Sequence, residues 1–324
     1  MSTSPSPVSS ATSVAAPETA HCAYEFAQVD VFAEAPLEGN ALAVFCDCRG
    51  LATEEMQAIA RETNLSETTF IYPRTPEIER EEGVKVRIFL TTEEIPFAGH
   101  PTLGTASWLY WNHPVFRGAD QITLDLGVGP ITVRFKKSSP GEPGVFGTMQ
   151  QKNPTFGETC STIEAREALA AALNLSVDDL DPDFSAEVVS TGMAFCIVPL
   201  RSMEVATRLQ ISSHTARPFL DDIDAKFFYC ITRAPSNSKA DWHARMQFGT
   251  GEDPATGSAA GCAISYLVRH NLATSGQQIV IEQGIEISRP SRILVSASIE
   301  DNIVTKVFVG GRTIPVASGR FFLP

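Results

Sequence analysis

The chain has 324 residues, of which 43% are hydrophobic, and a formal net charge of −13. That length allows two domains of ordinary size, and the apolar content is that of a globular protein with a proper core. No run approaches the roughly 18 uninterrupted apolar residues that span a bilayer, and the acidic balance argues against nucleic acid or an anionic membrane as a partner.

Residues 1–20 are rich in Ser, Ala, Thr and Pro and carry no Lys or Arg. They cannot bury enough apolar surface to offset the entropy of ordering, so a disordered tail is expected. The stretch lacks the basic start and apolar core of a secretory signal and the arginines of a mitochondrial presequence, which leaves a cytoplasmic protein as the expectation. Alternating apolar positions predict a strand over 24–32 and a second over 41–45, with Gly39-Asn40 in the turn-rich loop between. Thr53, read as a cap, opens a helix on which Met56, Ile59 and Ala60 recur at helical spacing, and Asn64-Leu65-Ser66 closes it. Strands follow over 68–72 and 84–90.

Phe97-Ala98-Gly99 then leads into His100-Pro101-Thr102-Leu103-Gly104-Thr105-Ala106 and an apolar helical run. Strands are predicted within 121–135 and 147–150, a helix over 164–173, and strands over 188–200 (broken at Thr191-Gly192), 226–232 and 242–248. At that point the earlier phrase returns as Asp253-Pro254-Ala255-Thr256-Gly257-Ser258-Ala259, 153 positions on, followed by a second apolar helix. Strands over 279–282, 293–299 and 303–309 complete the set. Each half is thus mainly strands about one helix that is apolar on every side. Such a helix must be enclosed, and a sheet curled round it also hides its own edges.

In both phrases the polar residue, His100 or Asp253, reads as a helix cap with Pro at the first helical position. The free N–H groups of a first turn carry partial positive charge and attract carboxylates and enolates. Gly99, Gly257 and Ser258 are small enough for a ligand or a facing backbone to come close. Two such helix starts facing each other would form an anion-binding cleft at a domain boundary. Glu67, just before the 68–72 strand, is either a solvated turn residue or an acid pointing into that cleft. In the second case desolvation raises its pKa, and it can take and return a proton near neutral pH.

Seven cysteines are scattered along the chain. Cys46-x-Cys48 is too close and lacks the second pair a zinc site needs, so free thiols in a reducing compartment fit best. His113, His214, His243 and His270 lie at turns or strand edges without metal-ligand spacing and read as structural or surface residues. Gly249-Thr250-Gly251 does not meet a dinucleotide or phosphate-loop fingerprint.

At these residues the chain resembles the phenazine-biosynthesis PhzF-like family, which has the diaminopimelate epimerase fold. The matching stretches are Gly39-Asn40-Ala41, 64–70, 94–106, Val189-Ser190-Thr191-Gly192, 252–261, Glu282-Gln283-Gly284, Arg289-Pro290-Ser291 and Gly310-Gly311-Arg312. The resemblance implies an α+β protein of two similar domains, each a β-barrel wrapped on a central helix. We expect them over 21–133 plus 312–324 and over 134–311. It further implies a homodimer, a small-molecule carboxylate substrate, and no cofactor or metal. Glu67 matches the family's proton-shuttling acid. His100 and Asp253 match its other polar catalytic positions, Gly99 and Gly257 supply backbone amides, and Ser66 and Ser258 complete the substrate-binding set. The family's reaction moves a proton between carbons of a dihydroxylated anthranilate-type acid.

The related epimerases use two thiols, one at each helix start. Here Gly99 or His100 and Asp253 stand there instead, and Cys262 lies within the helix where it cannot substitute, which argues against a two-thiol racemase. The segment 249–251 is shorter than in the family, which bears on the shape of the pocket. The residues leave open an isomerase, a cyclase on the same scaffold, and a binding protein without turnover.

Overall fold

Alternation of apolar and polar residues along most of the chain makes strands the dominant element, and the computed structural model bears this out over the residues it describes, 22–137, 141–249 and 251–323. The tail expected over 1–20, together with His21, lies outside the described residues. The first half contains β1 (Cys22–Val31), β2 (Asn40–Phe45), α1 (Thr53–Thr63), β3 (Glu67–Tyr72), α2 (Pro76–Glu82), β4 (Val84–Phe89), β5 (Glu94–Ile95), α3 (Gly99–Asn112), β6 (Gln121–Leu126), β7 (Gly129–Lys136) and β8 (Val145–Gln150). The second contains β9 (Thr155–Cys160), α4 (Ile163–Ala172), β10 (Ala186–Ser190), β11 (Ala194–Pro199), α5 (Met203–Arg208), α6 (Ser213–Asp222), β12 (Phe227–Arg233), β13 (Trp242–Arg245), β14 (Gln247–Phe248), β15 (Gly251–Glu252), α7 (Gly257–Arg269), β16 (Ile279–Gln283), β17 (Ser291–Glu300) and β18 (Ile303–Leu323).

One sheet runs through both halves. In the first, β1-β2-β3-β4-β6-β7-β8-β18 closes into an eight-stranded barrel because β18 also pairs with β1. In the second, β18-β17-β16-β13-β12-β11-β10-β9 curls the same way. The halves repeat each other. From β18 through β1, β2, β3, β4, β6 and β7 to β8, the pairings run antiparallel, antiparallel, parallel, antiparallel, parallel, antiparallel, antiparallel. From β9 to β18 they run in the same order. The two parallel steps in each half need crossovers, and these carry α1 and α3 in the first half and α5, α6 and α7 in the second.

The enclosed helices are α3 and α7. Every residue of α3 from Gly99 to Ser107 is buried, and α7 buries Gly257 and every residue from Ala259 to Val268. Neither has a polar stripe to turn to water, so each can persist only inside its ring of strands.

Some boundaries differ from the sequence reading. Thr53 is the first helical residue, not the cap. The cap is Ala52, whose N–H donates to the Glu55 carboxylate at 2.7 Å. The strand expected over 303–309 continues to Leu323. Gly310, Gly311 and Pro315 do not end it, because ladders on both sides hold the chain extended, and Pro315 sits at a bulge opposite Val29, where a missing donor is tolerated. The helices α2, α5 and α6 are not predicted: α2 and α5 have only 7 and 6 residues, and α6 has Pro218 inside it, which reads as a breaker.

Candidate active site

Each central helix delivers its N-terminus to the junction of the halves. A side-chain methyl on Gly99 would lie 3.2 Å from the Ser258 amide nitrogen and 3.4 Å from the Gly257 carbonyl carbon. The two helix starts therefore face each other at backbone contact, and glycine is what permits the approach. The first-turn amides of Gly99, His100, Gly257 and Ser258 belong to the unpaired set at a helix start and bear its partial positive charge.

The register of the repeat differs from the one read in the sequence. Neither His100 nor Asp253 is a cap: α3 is capped by Ala98 and begins one residue before His100, while α7 is capped by Thr256 and begins four residues after Asp253. Pro101 is therefore the third helical residue, and Pro254 precedes the helix. The structurally equivalent starts, Gly99 and Gly257, are 158 positions apart. The phrase matched at 153 by similarity of composition, whereas packing aligns the halves by where each helix enters its ring.

Glu67 opens β3, where the left-handed turn at Asn64 ends α1 and returns the chain to the sheet. Its side chain is 14% exposed, and its Oε2 lies 3.5 Å from Nε2 of His100, which is 5% exposed. Neither atom has a hydrogen-bond partner among the described residues. The contact is an approach of two buried polar atoms, a costly state that a polar ligand group between them would relieve. Burial first, then the Asp253 charge, pushes the Glu67 carboxyl well above its usual range. Burial lowers His100 to about 3. Both shifts disfavour the charged forms, so the contact is not held together as a salt bridge.

Asp253 joins them from the other half. Its Oδ1 accepts from the Asn40 side chain at 2.8 Å, and its Oδ2 accepts from the Thr256 hydroxyl at 2.6 Å. Burial lifts its carboxyl to about 6 against the pull of these two bonds, with the neighbouring Glu252 charge adding to the rise. Behind it, Gln283 donates to the Asp253 carbonyl at 2.7 Å and to the Thr256 hydroxyl at 2.9 Å. The Gln283 carbonyl accepts from Tyr229 at 3.0 Å and from the Thr256 amide at 3.1 Å. Every arm of that amide is used, so the aspartate is held rigidly.

The structure thus brings Glu67, His100, Asp253, Gly99, Gly257 and Ser258 together. Ser66 is half-buried beside Glu67 and hydrogen-bonds none of the described residues. Sequence reasoning missed Asn40, Thr256, Gln283 and Tyr229 as supports. The only local signal was a polar residue at the edge of an apolar strand, as at Asn40 and Gln283. Cys262 is buried inside α7, with its thiol pushed up to about 11 by burial, which makes it unreactive. The 247–252 hairpin contacts the α5–α6 connection: Gln247 bonds the Leu209 carbonyl and the Ile211 amide. Of the short segment itself, Gly249 faces Ser213 of α6 and Gly251 faces the Phe248 ring, while Thr250 lies outside the described residues. His243 is fully buried, while His113 and His270 pair with Glu79 and Glu187 at 3.1 and 2.8 Å.

Comparison with known proteins agrees with this architecture. The family model described as phenazine biosynthesis-like protein (PhzC-PhzF) matches residues 29–319. A trans-2,3-dihydro-3-hydroxyanthranilate isomerase of Pseudomonas aeruginosa is 36% identical over 303 residues, spanning 93% of this chain and 100% of that one. A Bacillus anthracis phenazine biosynthesis protein of the PhzF family superposes with a TM-score of 0.81 at 24% identity, over 93% of this chain and 100% of the other. A hydroxyproline epimerase from Agrobacterium vitis superposes with a TM-score of 0.61 at 9% identity, over 93% of each chain. These two show a shared fold alone. With a family match over nearly the whole described chain and a relative of this identity, the chain belongs to the phenazine biosynthesis-like family of isomerases.

Proposed function

We propose that this isomerase moves a proton between carbons of a small carboxylated, unsaturated metabolite of the dihydroanthranilate type, with Glu67 as the acid–base group. The observation that carries the reading is the unpartnered approach of Glu67 and His100, 3.5 Å apart, at the facing helix starts. Glu67 as carboxylate takes a proton from one carbon. The electron pair delocalises into the conjugated acid, where the first-turn amides of α3 and α7 stabilise the developing charge. Glu67 as acid returns the proton to a second carbon. The group ends as it began, so the step needs no cofactor. A carboxyl raised by burial is suited to both roles because it takes a proton more readily than a solvated one and can still return it. His100, neutral and within reach, orients the substrate or relays the proton, and Asp253 meets it from the opposite side.

The test is turnover of trans-2,3-dihydro-3-hydroxyanthranilate in deuterated water, for the wild type and for Glu67→Gln. We expect solvent label at a product carbon, and a loss in the variant of about 10²–10⁴-fold in rate with affinity held within about tenfold. A full-rate Glu67→Gln enzyme overturns the assignment, and a ring-closed product without label would mark a cyclase. The family resemblance also supports a homodimer, and a monomer mass by light scattering would count against it.

A further inference from the structure

The halves enter their central helices by the same device. At the 158-residue spacing that relates Gly99 to Gly257, Arg87 corresponds to Arg245, Glu94 to Glu252 and Pro96 to Pro254. In the first half Arg87 forks onto Glu94, Nε to Oε1 at 2.7 Å and Nη2 to Oε2 at 2.5 Å. In the second half Arg245 forks onto Glu252 through the same atoms at 2.9 and 2.5 Å. Each guanidinium also reaches an outer helix. Arg87 donates to the Thr53 hydroxyl at the start of α1 at 3.1 Å, and Arg245 donates to the carbonyls of Ala206, Thr207 and Leu209 around the end of α5 at 2.7, 3.1 and 3.1 Å.

The forks differ in burial. The Arg87 and Glu94 side chains are 24% and 38% exposed, whereas Arg245 and Glu252 are each 6% exposed. The buried fork is the one joined by a single peptide bond to an active-site acid, and the Asp253 amide is itself tied to the Met246 carbonyl at 2.9 Å.

We infer that Arg245 is a positioning residue: by clamping Glu252 between the sheet and the end of α5 it sets the course of the 252–256 segment, and with it the direction from which Asp253 meets Glu67. The inference rests on the acid–base reading above. Arg245 touches no reacting atom and acts through its neighbour. It also separates charges. Around Glu252 stand Arg245 and Gln247 on one side, with Glu286 3.8 Å from Arg245 and His243 between Glu282 and Glu286 at 3.3 and 3.0 Å. Beyond the peptide bond, Asp253 accepts from Asn40 and its charge reaches Glu67, which approaches His100. Without Arg245, Glu252 becomes a buried, uncompensated carboxylate next to Asp253, and Asp253 holds its proton to higher pH. Without the Glu252 charge, Asp253 releases its proton at lower pH.

The experiment uses the full chain with Arg245→Met, Arg245→Lys, Glu252→Gln and Arg87→Met. Two readouts are taken: the pH profile of turnover of trans-2,3-dihydro-3-hydroxyanthranilate, and NMR titration of ¹³C-carboxyl-labelled Asp and Glu. We expect Arg245→Met to lose about tenfold or more in kcat with KM within about twofold. Its acidic limb and the Asp253 midpoint should move to higher pH, and those of Glu252→Gln to lower pH. Arg245→Lys, which keeps the charge but not the fork, should hold the midpoints while kcat falls. Arg87→Met, at the exposed fork, should stay within about twofold of wild type. Unmoved midpoints in both Arg245→Met and Glu252→Gln overturn the proposal, whatever happens to melting temperature. If Arg245→Met does not fold, Glu252→Gln and Arg245→Lys decide it. The titration reads the clamp even if the wild type fails to turn this substrate over, so a wrong substrate and a wrong clamp give different results.

Discussion

At the scale of single residues, the site is a set of ionisable groups placed where their charged forms are disfavoured, and the signs of their effects on stability are opposite. His100 is lowered by burial to about 3 from 6.5, so between those values the unfolded chain binds the proton and the folded one does not. Its contribution to stability is present above 6.5 and is lost as pH falls toward 3. Asp253 is raised from 3.8 to about 6, and burial raises Glu67 as well. In both cases the folded state retains the proton; for Asp253 the stability this gives is greatest below 3.8 and is lost as pH rises through about 6. The melting temperature of Asp253→Asn relative to wild type should therefore climb as pH rises from 3.8 to about 6. That of His100→Gln relative to wild type should climb as pH falls from 6.5 toward 3. Calorimetry across that range checks both, and parallel profiles for the two variants would show that these groups titrate as exposed ones. Glu67 itself was visible in the sequence as an acid at the edge of a strand, but its burial was not, because the groups that dry it come from three distant stretches of chain.

At the scale of elements, what matters is that two helices begin against each other. The Gly99 backbone approaches α7 so closely that a methyl group would stand 3.2 Å from the Ser258 amide. Gly99→Ala should therefore fill the gap between the helix starts and screen their amides. We expect anion or substrate affinity to drop about tenfold, with stability changed by about 1–3 kcal/mol. Isothermal titration with the dihydroanthranilate substrate checks the first figure, and urea denaturation checks the second. Wild-type affinity in the variant would mean that the ligand does not lie between these helix starts. The existence of α3 and α7 was legible from their unbroken apolar runs. Their first residues were not, since Pro and small polar residues satisfy a helix start at several positions, and only hydrogen bonding selects one.

At the scale of the whole molecule, the halves are joined by more than proximity. Strand β18 pairs with β17 over 303–310, with β8 over 308–313 and with β1 over 313–323, so one strand belongs to both rings. Arg289 adds a side-chain bolt. It donates to Asp30 at 2.8 Å and to the Gly39 and Glu38 carbonyls at 2.9 and 2.8 Å, holding the loop that ends at Asn40. Asp30 is fully buried. Arg289→Met should leave that carboxylate unpaired, at a cost of about 3 kcal/mol in urea denaturation, and loosen the Asn40–Asp253 bond across the site. A change under about 1 kcal/mol would show that the loop is held without it.

The sequence by itself determined the strand-rich composition, the two enclosed helices and the pieces of the site, because hydrophobic periodicity and turn chemistry are local and each segment carries its own record of them. The tertiary structure decided three things no segment records: that the halves align at 158 and not 153, that the final strand runs through its glycines to close a barrel, and that Glu67 meets His100 and Asp253. These depend on which surfaces exclude water together, a property of the assembled sheet and not of any stretch of chain.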